Sequence, residues 1–202
     1  GFQKFLLWKT NNLTQHQFIL ILSALIGFTS GLGAVVIKNL THFIQELLEG
    51  KFIANAHHAF YFIFPVIGLA LTLIILKYGL NKKIGHGIPS TLYAISKRKG
   101  LMKPFQMYAS LLTAPITVGF GGSVGLEGPT VATGASLGSN IARVFQMNQT
   151  HRTLLIGCAA AGAMSSIFKA PIAAIIFAIE VFSLDLTLVS MLPLLIASVS
   201  AI

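Results

Sequence analysis

Residues 18–37 are apolar and free of charge, a run long enough to cross ~30 Å of hydrocarbon as a helix. Thr14 stands where an N-cap belongs, and Gly27, Gly31 and Gly33 give the run a GxxxG-type face that lets another helix approach closely. Polarity rises over residues 38–58, with Glu46, Glu49 and Lys51 along it, so the helix is expected to emerge into headgroups and turn near Gly50. His57 and His58 are adjacent, cannot share one helical face as metal ligands, and read as an interfacial pair. A second crossing is predicted over residues 59–76, with Pro65 and Gly68 inside it, ending at Lys77.

From residue 104 to residue 145 the apolar pattern continues, but Gly119, Gly121, Gly122, Gly125, Gly128 and Pro129 interrupt it, so a continuous spanning helix is excluded. Helices are predicted at 130–145, with Gly134 and Gly138 as a small-residue face, at 153–168 and at 171–182. Each is shorter than the ~20 residues of a perpendicular crossing. Residues 186–202 are apolar to the last, so more protein is expected to follow them.

Composition turns this pattern into a membrane protein. Of 202 residues 54% are hydrophobic and 9% charged, where soluble domains carry roughly 25% charged residues. Mean hydropathy is +0.80. The formal charge is +9, and seven of the fourteen basic residues fall between Lys77 and Lys103. In an apolar chain such an excess belongs to loops at lipid headgroups, and nucleic-acid binding explains it poorly. The cluster from Lys97 to Lys103 is expected to face the cytoplasm, with an anionic-lipid patch as its functional alternative. Cys158 stands alone, which excludes an internal disulfide and a Cys-based metal site. No small-residue cleavage site follows the first apolar run, which reads as a retained membrane helix.

Broken helices at membrane depth are tolerated only where protein buries the freed backbone or where it lines a polar cavity. A helix starting at such a break offers unpaired N–H groups and the positive end of its dipole, which suits an anion without any lysine. Three segments fit: 85–90, with Pro89 at the start of a helix beginning at or just before Ser90; 121–130; and 168–173, with Pro171 at a helix start. Glu127 lies in the second. An acidic residue in membrane-embedded sequence is costly and functional by default, and at a helix start its carboxylate can compete with an anion for the same N–H donors. The alternative is that Glu127 caps its own helix. Glu180, near the C-terminal end of an apolar helix, reads as reaching interfacial water or a polar partner, with a functional role as the alternative.

Those segments read GHGIP (85–89), GLEGP (125–129) and KAPIAAIIFAIEV (169–181). In order and spacing they resemble the motifs of the CLC family of chloride channels and chloride/proton antiporters, from about residue 15 onward. The resemblance implies an all-α membrane protein, a multi-helix bundle with short, tilted, re-entrant helices, forming one half of an inverted-repeat CLC fold. Residues 1–202 would be the N-terminal half alone. It implies a homodimer in a lipid bilayer, multi-pass in the plasma (inner) membrane, with a separate anion pathway in each subunit. Residues from about 153 to 182 would contribute to the dimer interface.

Transport of chloride or a similar anion, channel-like and voltage-gated or coupled to protons, would need no cofactor, no metal and no nucleic acid. Glu127 would be the gate, and His86, Gly87, Ile88, Gly125, Leu126, Gly128 and Pro129 would bind the anion. Glu180 is a candidate for the proton pathway. Two positions depart from the family. His86 stands where a serine usually coordinates the anion, so an imidazole N–H takes over, the selectivity differs, or only its backbone lines the path; with an ordinary pKa near 6.5, histidine could make the site pH-sensitive. Val181 stands where the exchangers usually carry an inner glutamate, which favours the channel branch.

Other readings are a transporter of fluoride or nitrate and a cation-coupled solute transporter. The second needs more acidic or carbonyl ligands than Glu127 and Glu180 supply. An enzyme would need a nucleophile with its base or a metal motif, and the sequence has no HExxH.

Overall fold

The run from Gly157 to Ala163 is glycine, alanine and one cysteine, so as a helix it projects little and can be approached closely from several sides. It lies at the centre of the molecule. The computed structural model describes residues 14–48, 63–80, 87–185 and 187–202. Among them are eight α-helices and no strand: α1 Gln15–Leu48, α2 Phe64–Ile74 continued by a π-helical turn Ile75–Leu80, α3 Gly87–Lys97, α4 Phe105–Gly119, α5 Glu127–Val144, α6 Gln149–Phe168, α7 Pro171–Phe182 and α8 Leu188–Ser200. The predicted turn near Gly50, the His57 and His58 pair, and His86 lie outside the described residues.

Helix α6 is buried without interruption from Leu154 to Ser166 and packs against α1, α5, α7 and α8. The small-residue faces make this possible. A Cβ on Gly134 would stand 2.7 Å from the Ala159 carbonyl oxygen, and one on Gly138 2.6 Å from that of Leu155. On α1, a Cβ at Gly27 would collide with the Ala197 carbonyl of α8, and one at Gly31 would lie 2.6 Å from that of Ala201. Gly33 differs: its nearest neighbour would be the Thr133 methyl at 3.7 Å, so it permits no special approach. Hydroxyls then tie the helices together, the buried Ser165 donating to Ser198 O (2.7 Å), the buried Ser166 to Gly31 O (3.3 Å) and the half-buried Ser200 to Ala24 O (3.1 Å).

Helix α1 starts after Thr14 as predicted, with the Thr14 hydroxyl accepting from the Gln17 N–H at 3.4 Å. It runs through the polar stretch after Ile37 to Leu48, consistent with the expected emergence there. Ile37, Thr41, Ile44 and Leu48 recur every three or four residues on one face, and Ile44 packs against Gly119 of α4. At 1.5 Å per residue the 34-residue helix is about 51 Å long. Among the described residues it alone is long and apolar enough to cross a membrane by length and composition.

Four boundaries differ from those expected. Helix α2 begins at Phe64, which puts Pro65 in its first turn instead of mid-helix, and the π-helical turn carries it past Lys77 to Leu80. Helices α3 and α5 begin at Gly87 and Glu127, so Pro89 and Pro129 occupy the third position and only Pro171 opens its helix directly. The N–H groups of the whole first turn lack intrahelical acceptors, so proline is tolerated at any of these places. Helix α6 begins at Gln149, capped by the Asn148 side chain, and at 20 residues matches a full crossing. Of residues 153–182, expected at a dimer interface, the run from Leu154 to Ser166 is enclosed by the chain itself, while Phe168, Ile172 and Ile176 are exposed.

Candidate anion site at two helix starts

The glycine-rich segment between α4 and α5 forms a break of the kind the sequence predicts. Gly121 takes φ +86°, Gly122 N–H donates to Thr117 O (2.9 Å) and Val124 N–H to Gly122 O (2.9 Å), turning the chain sharply into α5. Thr130 N–H donates to Leu126 O at 3.0 Å, closing the first helical turn. The N–H groups of Gly125, Leu126, Glu127 and Gly128 have no acceptor among the described residues. They form the row of free donors that a helix start leaves for an anion.

A second helix start meets this one. Gly87, the first residue of α3, has φ +42°, and a Cβ on it would stand 3.3 Å from Gly128 O and 3.4 Å from Gly128 Cα. Gly87, Ile88, Leu126, Gly128 and Pro129 are half-buried, while Gly125 and Glu127 are exposed. The segments 85–90 and 121–130, about forty residues apart, therefore converge through Gly87 and Gly128. The third segment does not join them. Pro171 opens α7, and Lys169, in the left-handed region at φ 53°, sends its Nζ to Ile202 O at 3.0 Å.

Glu127 is the first residue of α5, but its carboxylate does not cap the helix. Among the described residues it has no hydrogen-bond or ionic partner, and its Oε2 lies where a Cβ of Gly125 would be. The N-cap is Leu126, which supplies no side-chain bond. Glu180 sits two residues before the end of α7, exposed, and its carbonyl accepts from Ser183 N–H at 3.4 Å. Val181 is half-buried against the core around α6.

Behind the two helix starts lies a cavity of about 180 Å³, lined by Gly87, Pro129 and the hydroxyl residues Thr72, Ser110, Thr113 and Thr117. Thr113 and Thr117 donate to Ala109 O (2.8 Å) and Thr113 O (3.0 Å), and Thr72 donates to Gly68 O (2.9 Å). The Thr72 and Thr117 hydroxyls also lie 3.1 Å apart and bond to each other, so these threonines form one linked polar wall. The sequence reading missed this wall. Its signal was there, since Ser110, Thr113 and Thr117 recur at i, i+3 and i+7 on one face of α4.

The sequence matches the voltage gated chloride channel family over residues 67–202. The chain belongs to the CLC family. This CLC chain is 33% identical over 173 residues to the H(+)/Cl(−) exchange transporters ClcA of Salmonella arizonae and Salmonella paratyphi B, an alignment covering 80% of this chain and 36% of each relative. Its fold is similar to a crystal structure of a slow cyanobacterial Cl−/H+ antiporter, with a TM-score of 0.72 at 22% identity, over 94% of this chain and 46% of the antiporter. The CLC chain thus spans about a third of the length of these curated relatives and superposes on about half of the antiporter fold. The all-α bundle of short helices is one half of a CLC fold.

Proposed function

We propose that this chain contributes one wall of a pathway that carries chloride across a membrane, with the anion held by backbone N–H groups at the starts of α3 and α5. The observation that carries the reading is the contact of Gly87 with Gly128, which brings two helix N-termini and their dipoles to one place. Partial charges hold an anion without trapping it, as conduction requires. The Glu127 carboxylate, at the mouth of these donors and unpaired among the described residues, competes with the anion when ionised and releases the site when protonated. His86 and Ile88 would complete the anion lining beside Gly125, Leu126 and Pro129.

The relatives named as H(+)/Cl(−) exchangers favour coupling of chloride to protons, with Glu180 as the candidate proton-pathway residue. Val181 favours a second reading, passive channel-like conduction. In either case the working protein is a multi-pass homodimer in the plasma (inner) membrane, without a cofactor. The deciding experiment is chloride flux with simultaneous pH recording on the full-length protein in liposomes. Proton uptake against its gradient, driven by chloride, establishes exchange, and chloride flux without proton movement establishes a channel. Absence of chloride flux while fluoride or nitrate moves would replace chloride as the substrate, and absence of all anion flux would end the proposal.

A further inference from the structure

At the far end of α5 the chain builds a second, differently charged site. Lys97, at the last residue of α3, and Arg98, Lys99 and Lys103, in the turn to α4, line a groove of about 510 Å³ with Arg143 of α5. All five side chains are exposed. The acids among the described residues, Glu46, Glu127, Glu180 and Asp185, do not line it. Arg143 lies sixteen residues beyond Glu127 on α5, about 24 Å along the helix axis. The carbonyl ends of α3 and α5 favour a cation at Lys97 and Arg143. That effect reaches only the last turn of a helix, so Arg98, Lys99 and Lys103 remain as uncompensated charge.

The cations are carried by a turn fixed in place. Ser139 of α5 donates to Gly100 O (2.6 Å) and accepts from Met102 N–H (2.9 Å), and Ser136 donates to Lys103 O (3.3 Å). From α6, Arg152 donates to Lys99 O and Met147 O, both at 2.9 Å. Ser139 is buried, so its two bonds are shielded from competing water. A groove held this way gives its ligand a charge array whose backbone ordering is already complete.

We infer that this groove binds the phosphate of an anionic phospholipid. Phosphate chemistry follows from several Lys and Arg side chains converging without an acid. A lipid source is favoured over free phosphate because the groove also includes Leu101, Met102 and Pro104, and because two of its cations lie against aromatic rings. Arg98 lies over the Tyr93 ring at 5.4 Å and Lys103 over that of Phe105 at 6.0 Å. Cations beside aromatic rings, with Leu101 and Val144 exposed nearby, match the boundary between headgroups and hydrocarbon. The headgroup sits among the charges and its chains run along the apolar flank.

The test is native mass spectrometry of the full-length protein in detergent, titrated in parallel with phosphatidylglycerol and phosphatidylcholine. Wild type retains phosphatidylglycerol at lipid concentrations at which phosphatidylcholine is lost. The triple variant Lys99→Gln, Lys103→Gln, Arg143→Gln binds phosphatidylglycerol at least about tenfold more weakly, and Arg143→Lys alone stays close to wild type. Should the triple variant misfold, Lys103→Gln alone must still show a measurable loss. Equal retention of the two lipids by wild type, or undiminished phosphatidylglycerol binding by the neutralised variants, overturns the assignment. Displacement of phosphatidylglycerol by millimolar inorganic phosphate overturns the lipid source.

Discussion

Gly87 and Gly128 approach closely: a Cβ on Gly87 would meet the Gly128 carbonyl oxygen at 3.3 Å, whereas a Cβ on Gly128 would have nothing within 4 Å. The asymmetry separates structure from passage. Gly87→Ala places a side chain at φ +42° against a peptide, so it should cost about 1–3 kcal/mol and lower the midpoint of thermal unfolding. Gly128→Ala should leave that midpoint unchanged and slow anion flux by narrowing the open side of the site. Equal flux from wild type and Gly128→Ala in liposomes would place the anion elsewhere.

Glu127→Gln removes the charge and keeps the shape of a side chain that has no partner among the described residues. Its thermal midpoint should match wild type. Proton coupling, where the full-length protein has it, should disappear, and anion flux should lose its dependence on pH. Retained coupling in vesicles would remove Glu127 from the gate.

The glycines of α1 offer an internal control. A methyl group at Gly27 runs into the backbone of Ala197, so Gly27→Ala must push α1 and α8 apart. Overpacking of this kind costs about 1–3 kcal/mol. Gly33→Ala, with 3.7 Å to the Thr133 methyl, should be neutral or slightly stabilising. Thermal unfolding of the two variants in the same detergent checks the contrast.

Ser139→Ala leaves the Gly100 carbonyl and the Met102 N–H without their buried partner. An unsatisfied buried group costs about 1–3 kcal/mol, so the variant should be less stable and the turn carrying Lys99 and Lys103 looser. Faster amide hydrogen exchange confined to residues 99–103 is the expected signature.

Local signals in the sequence were enough to find a break among the glycines of 119–129, the start of α7 at Pro171 and the small-residue faces Gly27/Gly31 and Gly134/Gly138. Glycine and proline act on their own backbone, and helical spacing is a property of one segment, so both can be read without knowing the neighbours. Helix starts were read too late at Thr130, at or just before Ser90, and at Thr153, because an apolar pattern marks the packed face, while the first turn is fixed by backbone hydrogen bonding.

What the chain by itself determined is its class: apolar, poor in charge, broken by glycine and proline at motifs that place it among the CLC proteins. Only the tertiary structure decided which breaks belong together. It set Gly87 against Gly128, left Pro171 apart, enclosed the middle of α6, and brought Arg143 to the groove of Lys99 and Lys103. Each of these depends on contacts between segments distant in sequence. Such contacts arise from packing the helices against one another, which no single window of sequence encodes.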